Sequence, residues 1–182
     1  MRLFIAIDIC EELVNKIIPV QNEIKGYPGV KTVEPENLHI TLKFLGEVPR
    51  PNLDSIKNAL SDVKFNKFEI SLKGIGFFPT SSNPRVIWIG VSKGEEKITE
   101  LAKIVDKKMK KFGFKSDEFK AHVTIARIKR LSGDLKSKIK ELHEKFYDSD
   151  FGSMLVENFK LKESILKHTG PIYKDLATFE LL

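Results

Sequence analysis

Cysteine is almost absent: Cys10 is the only one, so the chain has no internal disulfide and no cysteine framework for a metal. Cys10 falls at a strand-to-helix junction, where a helix N-terminus would lower a thiol pKa, but nothing beside it suggests an activated nucleophile. Long apolar runs are also missing. The stretch Val86-Ile87-Trp88-Ile89-Gly90-Val91 is far too short to span a bilayer. Met1-Arg2-Leu3-Phe4-Ile5-Ala6-Ile7 runs straight into acidic residues with no small-residue cleavage site. It predicts an N-terminal strand rather than a signal peptide, and a cytoplasmic location is expected with no membrane partner. There is no Gly-x-x-x-x-Gly-Lys phosphate loop, no Gly-x-Ser-x-Gly elbow and no close His/Asp/Glu/Cys cluster, so neither a cofactor nor a metal is expected. Glu95-Glu96 and Asp117-Glu118 read as surface acids.

What is present suits a globular protein. Of 182 residues, 41% are hydrophobic and 31% charged, enough for a real core under a solvated surface. The net charge of +6 comes mostly from lysine and is compatible with a polyanionic partner such as RNA. Gln21 is the only glutamine amid abundant lysine and glutamate, a bias seen in proteins of high-temperature organisms.

Hydrophobic periodicity predicts strands over 2–9, 38–45, 67–78, 85–92, 121–128, 153–168 and 172–181. Helices are predicted over 11–25, around Leu53, Ile56, Leu60 and Val63, and from Ile98 to Phe112. A further helix carries Leu135, Ile139, Leu142 and Phe146, with Ser132 as its N-cap. Pro19 should kink or end the first helix, and Gly113 should stop the third.

The order of elements recurs with a fixed register. His39 and His122 are 83 positions apart, as are Arg2-Leu3-Phe4-Ile5 and Arg85-Val86-Ile87-Trp88, and the segment 51–63 falls on 134–146. The pattern reads as an α+β fold built from two duplicated strand-helix-strand-helix-strand units. These would form one domain over 1–182 with two pseudo-symmetric lobes, about 1–80 plus the C-terminal strands and about 84–168.

Each unit carries one His-x-Thr: His39-Ile40-Thr41 and His122-Val123-Thr124. Four histidines and seven threonines predict about 0.15 such triplets by chance, so two at matching places in a repeat indicate a built site. In a strand, residues i and i+2 share a face. Ile40, Leu42 and Phe44 are therefore expected on the apolar face, with His39, Thr41 and Lys43 opposite; Val123 and Ile125 likewise back His122 and Thr124. Near neutral pH one imidazole can accept a proton and a second can donate one. Threonine hydroxyls can donate to phosphoryl oxygens, and displacement at a phosphodiester needs these parts. Arg127 could clamp a phosphate, but strict alternation puts it on the face opposite His122 unless a bulge or strong twist turns it back. His143 is expected to be solvated on a helix, and His168 to mark a loop.

With these strings in hand, the chain resembles the 2H phosphoesterase superfamily, and within it the RNA 2',3'-cyclic phosphodiesterases, also called 2'-5' RNA ligases. The resemblance spans nearly the whole chain. It rests on Arg2-Leu3-Phe4-Ile5-Ala6-Ile7-Asp8, His39-Ile40-Thr41-Leu42-Lys43-Phe44-Leu45-Gly46-Glu47, Pro84-Arg85-Val86-Ile87-Trp88-Ile89-Gly90-Val91, His122-Val123-Thr124-Ile125-Ala126-Arg127, and the segment from Leu161 to Tyr173. It implies a bilobal fold whose mainly antiparallel sheets line a central, V-shaped cleft, and hydrolysis of RNA 2',3'-cyclic phosphate ends to 2'-phosphates. It also implies His39 as proton donor, His122 as proton acceptor, and phosphate contacts from Thr41, Thr124 and Arg127. Cys10 stands where relatives often have proline. Reversible 2'-5' RNA ligation and a non-catalytic RNA-end or nucleotide binding module are the competing readings, and a monomer is expected.

Overall fold

A computed structural model describes all 182 residues. In chain order the elements are β1 (Arg2–Asp8), α1 (Glu11–Asn22), β2 (Val30–Thr32), β3 (His39–Glu47), α2 (Leu53–Ser61), β4 (Phe68–Pro79), β5 (Pro84–Val91), α3 (Glu95–Lys110), β6 (His122–Ile128), α4 (Gly133–Phe146), β7 (Asp150–Val156), β8 (Asn158–Lys167) and β9 (Gly170–Glu180). Short 3-10 turns at Pro35–Asn37 and Arg50–Asn52 precede β3 and α2. No helix is long and apolar enough to cross a membrane.

Two antiparallel sheets form, one in the order β3-β1-β8-β9 and the other β2-β6-β5-β4-β7. The α+β class and the repeated helix-strand order are as the periodicity predicts, but the sheets do not follow sequence boundaries drawn near 80 and 84. Only residues 80–83 separate β4 from β5, a loop short enough that the two must pair as a hairpin, so β4 joins the second sheet. The long strand expected over 153–168 is two strands. β7 pairs with β4 in the second sheet, and the chain crosses at Glu157 so that β8 pairs with β1 in the first. The helices are exchanged too: α3 packs on β3, α2 on α3 and β9, while α1 packs on β7 and β6 and α4 on β4.

The core lies between helices and sheets. Ile5, Ile40, Ile56, Leu60, Leu101 and Leu161 are fully buried in the first layer, and Ile17, Ile87, Val123, Ile125 and Leu142 in the second. Each such side chain contributes about 1.5–3 kcal/mol by leaving water. Ser132 caps α4 as expected, its hydroxyl accepting from the Leu135 N–H at 3.2 Å. Gly113 adopts φ of +88° just beyond α3, the left-handed conformation a helix stop needs. Pro19 does not end α1, which runs one turn further to Asn22. It sits on the exposed face, where the carbonyl of Asn15 that loses its helical partner meets water.

The most consequential departure from simple alternation is in β3 and β6. Against β1, Thr41 pairs with Ala6 and Lys43 with Ile5, leaving Leu42 as an extra residue. Against β5, Thr124 pairs with Trp88 and Ala126 with Ile87, leaving Ile125 extra. Each bulge puts two successive residues toward the core, Leu42 and Lys43 in one strand, Ile125 and Ala126 in the other. The expected faces are corrected accordingly. Phe44 is 64% exposed on the side of His39 and Thr41, while Lys43 is buried beneath α3.

Candidate active site

The inner faces of the two sheets enclose a cleft of about 740 Å³. His39, Thr41, His122, Thr124 and Arg127 all line it. The bulge at Ile125 is what brings Arg127 to the same face as His122 and Thr124, resolving the conflict that strict alternation posed. The bulge is itself held. Its Ile125 carbonyl accepts from the Val33 N–H at 2.9 Å and from Gln21 Nε2 at 3.0 Å, and Gln21 Nε2 also donates to the Val33 carbonyl at 2.8 Å. The only glutamine thus reaches from buried α1 to fix the turn of the arginine strand. Nothing in the local sequence pattern announces that role.

The two histidines are oriented alike. His39 Nδ1 lies 2.6 Å from the Asn37 carbonyl, and His122 Nδ1 lies 2.7 Å from the Lys120 carbonyl. A carbonyl can only accept, so each Nδ1 carries the proton and donates it. Nε2 is then the nitrogen left to exchange a proton in both rings. Thr41 Oγ1 is 2.9 Å from His39 Nε2 and donates to it when the imidazole is neutral. His122 Nε2 makes no hydrogen bond within the protein. Asn37 also ties the ring to the far hairpin, its Nδ2 donating to the Pro171 carbonyl at 3.0 Å.

Aromatic rings hold each imidazole from the sides. His39 contacts Phe4 (5.2 Å between centroids) and the edge of Tyr173 (5.4 Å). His122 contacts Phe78 (5.2 Å) and Trp88 (6.1 Å). The indole lies against Gly76, where any Cβ would collide with its ring. Burial in these surroundings holds both histidines below the usual value of 6.5; the carbonyl bonds pull the other way, and the charge of Arg127 lowers both. Arg127 therefore stands within electrostatic reach of both rings. Anionic substrate entering between them would favour the imidazolium and oppose the shift.

No group of three or more His, Cys, Asp or Glu is placed to hold a metal ion. The other two histidines lie apart from the two His-x-Thr motifs. His168 is in the turn between β8 and β9, as expected, while His143 is half-buried rather than solvated, with its ring 5.6 Å from Phe77.

The chain has clear relatives among known proteins. The family model described as LigT-like phosphoesterase matches twice in tandem, over residues 7–88 and 89–173. An RNA 2',3'-cyclic phosphodiesterase of Archaeoglobus fulgidus is 49% identical over 181 residues, covering 99% of this chain and 100% of its own. A protein of the same name from Methanocaldococcus jannaschii is 44% identical over 175 residues, covering 96% and 97%. Among solved structures, a Thermus thermophilus protein superposes with a TM-score of 0.82 at 30% identity, covering 99% and 97%.

Proposed function

This chain belongs to the LigT-like phosphoesterase family, and on that footing we propose that it hydrolyses RNA 2',3'-cyclic phosphodiester ends to 2'-phosphates with His39 and His122 as the proton-transfer pair. The observation that carries this reading is the paired arrangement of the imidazoles. One comes from each sheet, each has its Nδ1–H locked on a carbonyl two residues upstream, and both line one cleft.

His122 acts as base. Its Nε2 is free of protein partners, and it takes a proton from the water that attacks phosphorus. His39, protonated at Nε2, gives its proton to O3' as the P–O3' bond breaks. The proton gained by one ring balances the proton lost by the other, and water restores both before the next turnover. Thr41, Thr124 and Arg127 hold the non-bridging oxygens, where negative charge is concentrated. In-line displacement requires attacking and leaving oxygens on opposite sides of phosphorus, and histidines on opposing sheets meet that demand. The scheme assigns both proton transfers to side chains, so activity is expected to persist after exhaustive EDTA treatment.

Turnover of adenosine 2',3'-cyclic phosphate tests the proposal. His39→Ala and His122→Ala should each lower kcat by about two to four orders of magnitude, the range for losing a general acid or base. Near-normal turnover by either variant refutes the two-histidine scheme.

A further inference from the structure

Lys31 and Arg127 stand directly opposite one another across the β2–β6 pair. Like charges at opposed positions destabilise a sheet. Both side chains nonetheless line the cleft, and neither meets a carboxylate. On the first sheet the same protein treats lysines differently: Lys43 meets Asp106 at 2.8 Å, and Lys160 and Lys162 each meet Asp8 and Asp175 at 2.7–3.0 Å. Glu34 is the only acid lining the cleft, and it pairs with neither cation. Arg2 also lines the cleft without a carboxylate partner, but only Lys31 and Arg127 are opposed across a strand pair, where their unneutralised charges come at the price of sheet stability.

The two cations are not equivalent. Arg127 shares its strand with His122 and its charge lowers both imidazoles, whereas Lys31 sits on the neighbouring edge strand. Adjacent strands are about 4.8 Å apart, so Lys31 is one strand further from the reacting centre. Its ammonium is also held in place. Nζ donates to the Thr169 carbonyl at 3.0 Å, in the turn between β8 and β9, and lies 3.9 Å from where a Cβ on Gly170 would stand. An ammonium has three N–H donors, so this bond to a neutral carbonyl leaves two donors and the whole charge for a ligand.

We infer that Lys31 forms a second phosphate subsite, which takes the phosphate on the 5' side of the terminal nucleoside while Arg127 serves the cyclic phosphate. The inference rests on the proposed hydrolysis of RNA ends and refines it. The cleft recognises a nucleotide bearing phosphate at both ends, which is what an RNA terminus offers and a cyclic mononucleotide lacks. Fixing two phosphates one nucleotide apart also sets the direction in which the RNA strand leaves the cleft, over β2 and the β8–β9 turn.

The test compares kcat/KM for adenosine 2',3'-cyclic phosphate with and without a 5'-phosphate, in the wild type, Lys31→Gln and Lys31→Arg. Gln keeps a donor for the Thr169 carbonyl but removes the charge; Arg keeps the charge. The wild type should favour the 5'-phosphorylated substrate by about tenfold, the effect of one charge-assisted hydrogen bond. That preference should collapse to less than about twofold in Lys31→Gln, persist in Lys31→Arg, and shrink as salt screens the pair. Equal use of both substrates by the wild type overturns the subsite. So does a loss in Lys31→Gln that is the same for both substrates, since it would place Lys31 on the hairpin or on the reacting phosphate. Wild type inactive on both substrates would instead refute the proposed function, and the subsite with it.

Discussion

Leu42 and Ile125, 83 positions apart, are the extra residues of two equivalent β-bulges, one in each His-x-Thr strand. The duplication has therefore kept a backbone irregularity as well as a motif. Its consequence is the same in both halves. The residue five places after the histidine turns onto the histidine's own face, and there the halves diverge, with Phe44 in one and Arg127 in the other. A symmetric scaffold thus presents an asymmetric site, with a cation on one wall and an aromatic ring on the other.

The protonation of the two histidines should show in the pH profile. Burial, first among the causes, lowers both from 6.5. In free enzyme the combination of one imidazolium and one imidazole is then most populated below pH 6.5. The expected kcat/KM profile is a bell with its maximum on the acid side of that value, and a kcat profile displaced to higher pH because bound anion favours the imidazolium. A kcat/KM profile flat from pH 6 to about 8 would contradict this. Stability follows by linkage. A histidine whose folded pKa is depressed contributes stability that is present above its unfolded pKa and is lost as pH falls toward the folded one. The Tm should therefore decline as pH drops below 6.5, and less steeply in His39→Gln.

Gln21 is expected to act on catalysis through Arg127. Gln21→Met removes one of two donors from the Ile125 carbonyl and leaves the Val33 N–H in place. The fold should survive with a loss of about 1–2 kcal/mol, while kcat/KM falls about tenfold as the bulge loosens. A double-mutant cycle separates positioning from general damage. Gln21→Met combined with Arg127→Gln should be no slower than Arg127→Gln alone, whereas additive losses would show that Gln21 does not work through the arginine.

Much of this was legible in the residues. The α+β class, the duplication, the two His-x-Thr strands and the Ser132 cap follow from periodicity and spacing, because each is a local pattern. The interlacing of β4 and β8 between sheets was not, since partner choice depends on loop length and on what lies across the sheet. The bulges were hidden for a related reason. Leu42-Lys43-Phe44 reads as plain alternation, and only pairing with β1 reveals that Leu42 has no partner. Gln21 and Asn37 stayed silent because their targets are backbone carbonyls, which carry no side-chain signature.

Lys43 links the first motif strand to the chain leading into the second. Its buried ammonium meets Asp106 of α3 at 2.8 Å and donates to the Lys115 carbonyl at 2.7 Å, seven residues before His122. Removing Asp106 leaves the buried ammonium only the exposed Asp117 carboxylate at 3.6 Å, and breaking a buried pair is costly because the remaining charge is poorly compensated. Asp106→Ala should therefore destabilise the protein by about 3 kcal/mol, measured by urea unfolding, and more than Lys43→Met, which takes the charge away. The opposite ranking would mean that the pair is not effectively desolvated.

If two histidines on facing sheets do the chemistry, they fix the water on one side of phosphorus and the leaving oxygen on the other. Phosphorus NMR of adenosine 2',3'-cyclic phosphate during digestion by the wild-type protein tests this most directly, because the substrate offers O2' and O3' as alternative leaving groups. A single product is expected, the 2'-phosphate, formed by loss of O3'. A 3'-phosphate product would contradict the assigned orientation, and a mixture of the two isomers would contradict a fixed, two-sided site.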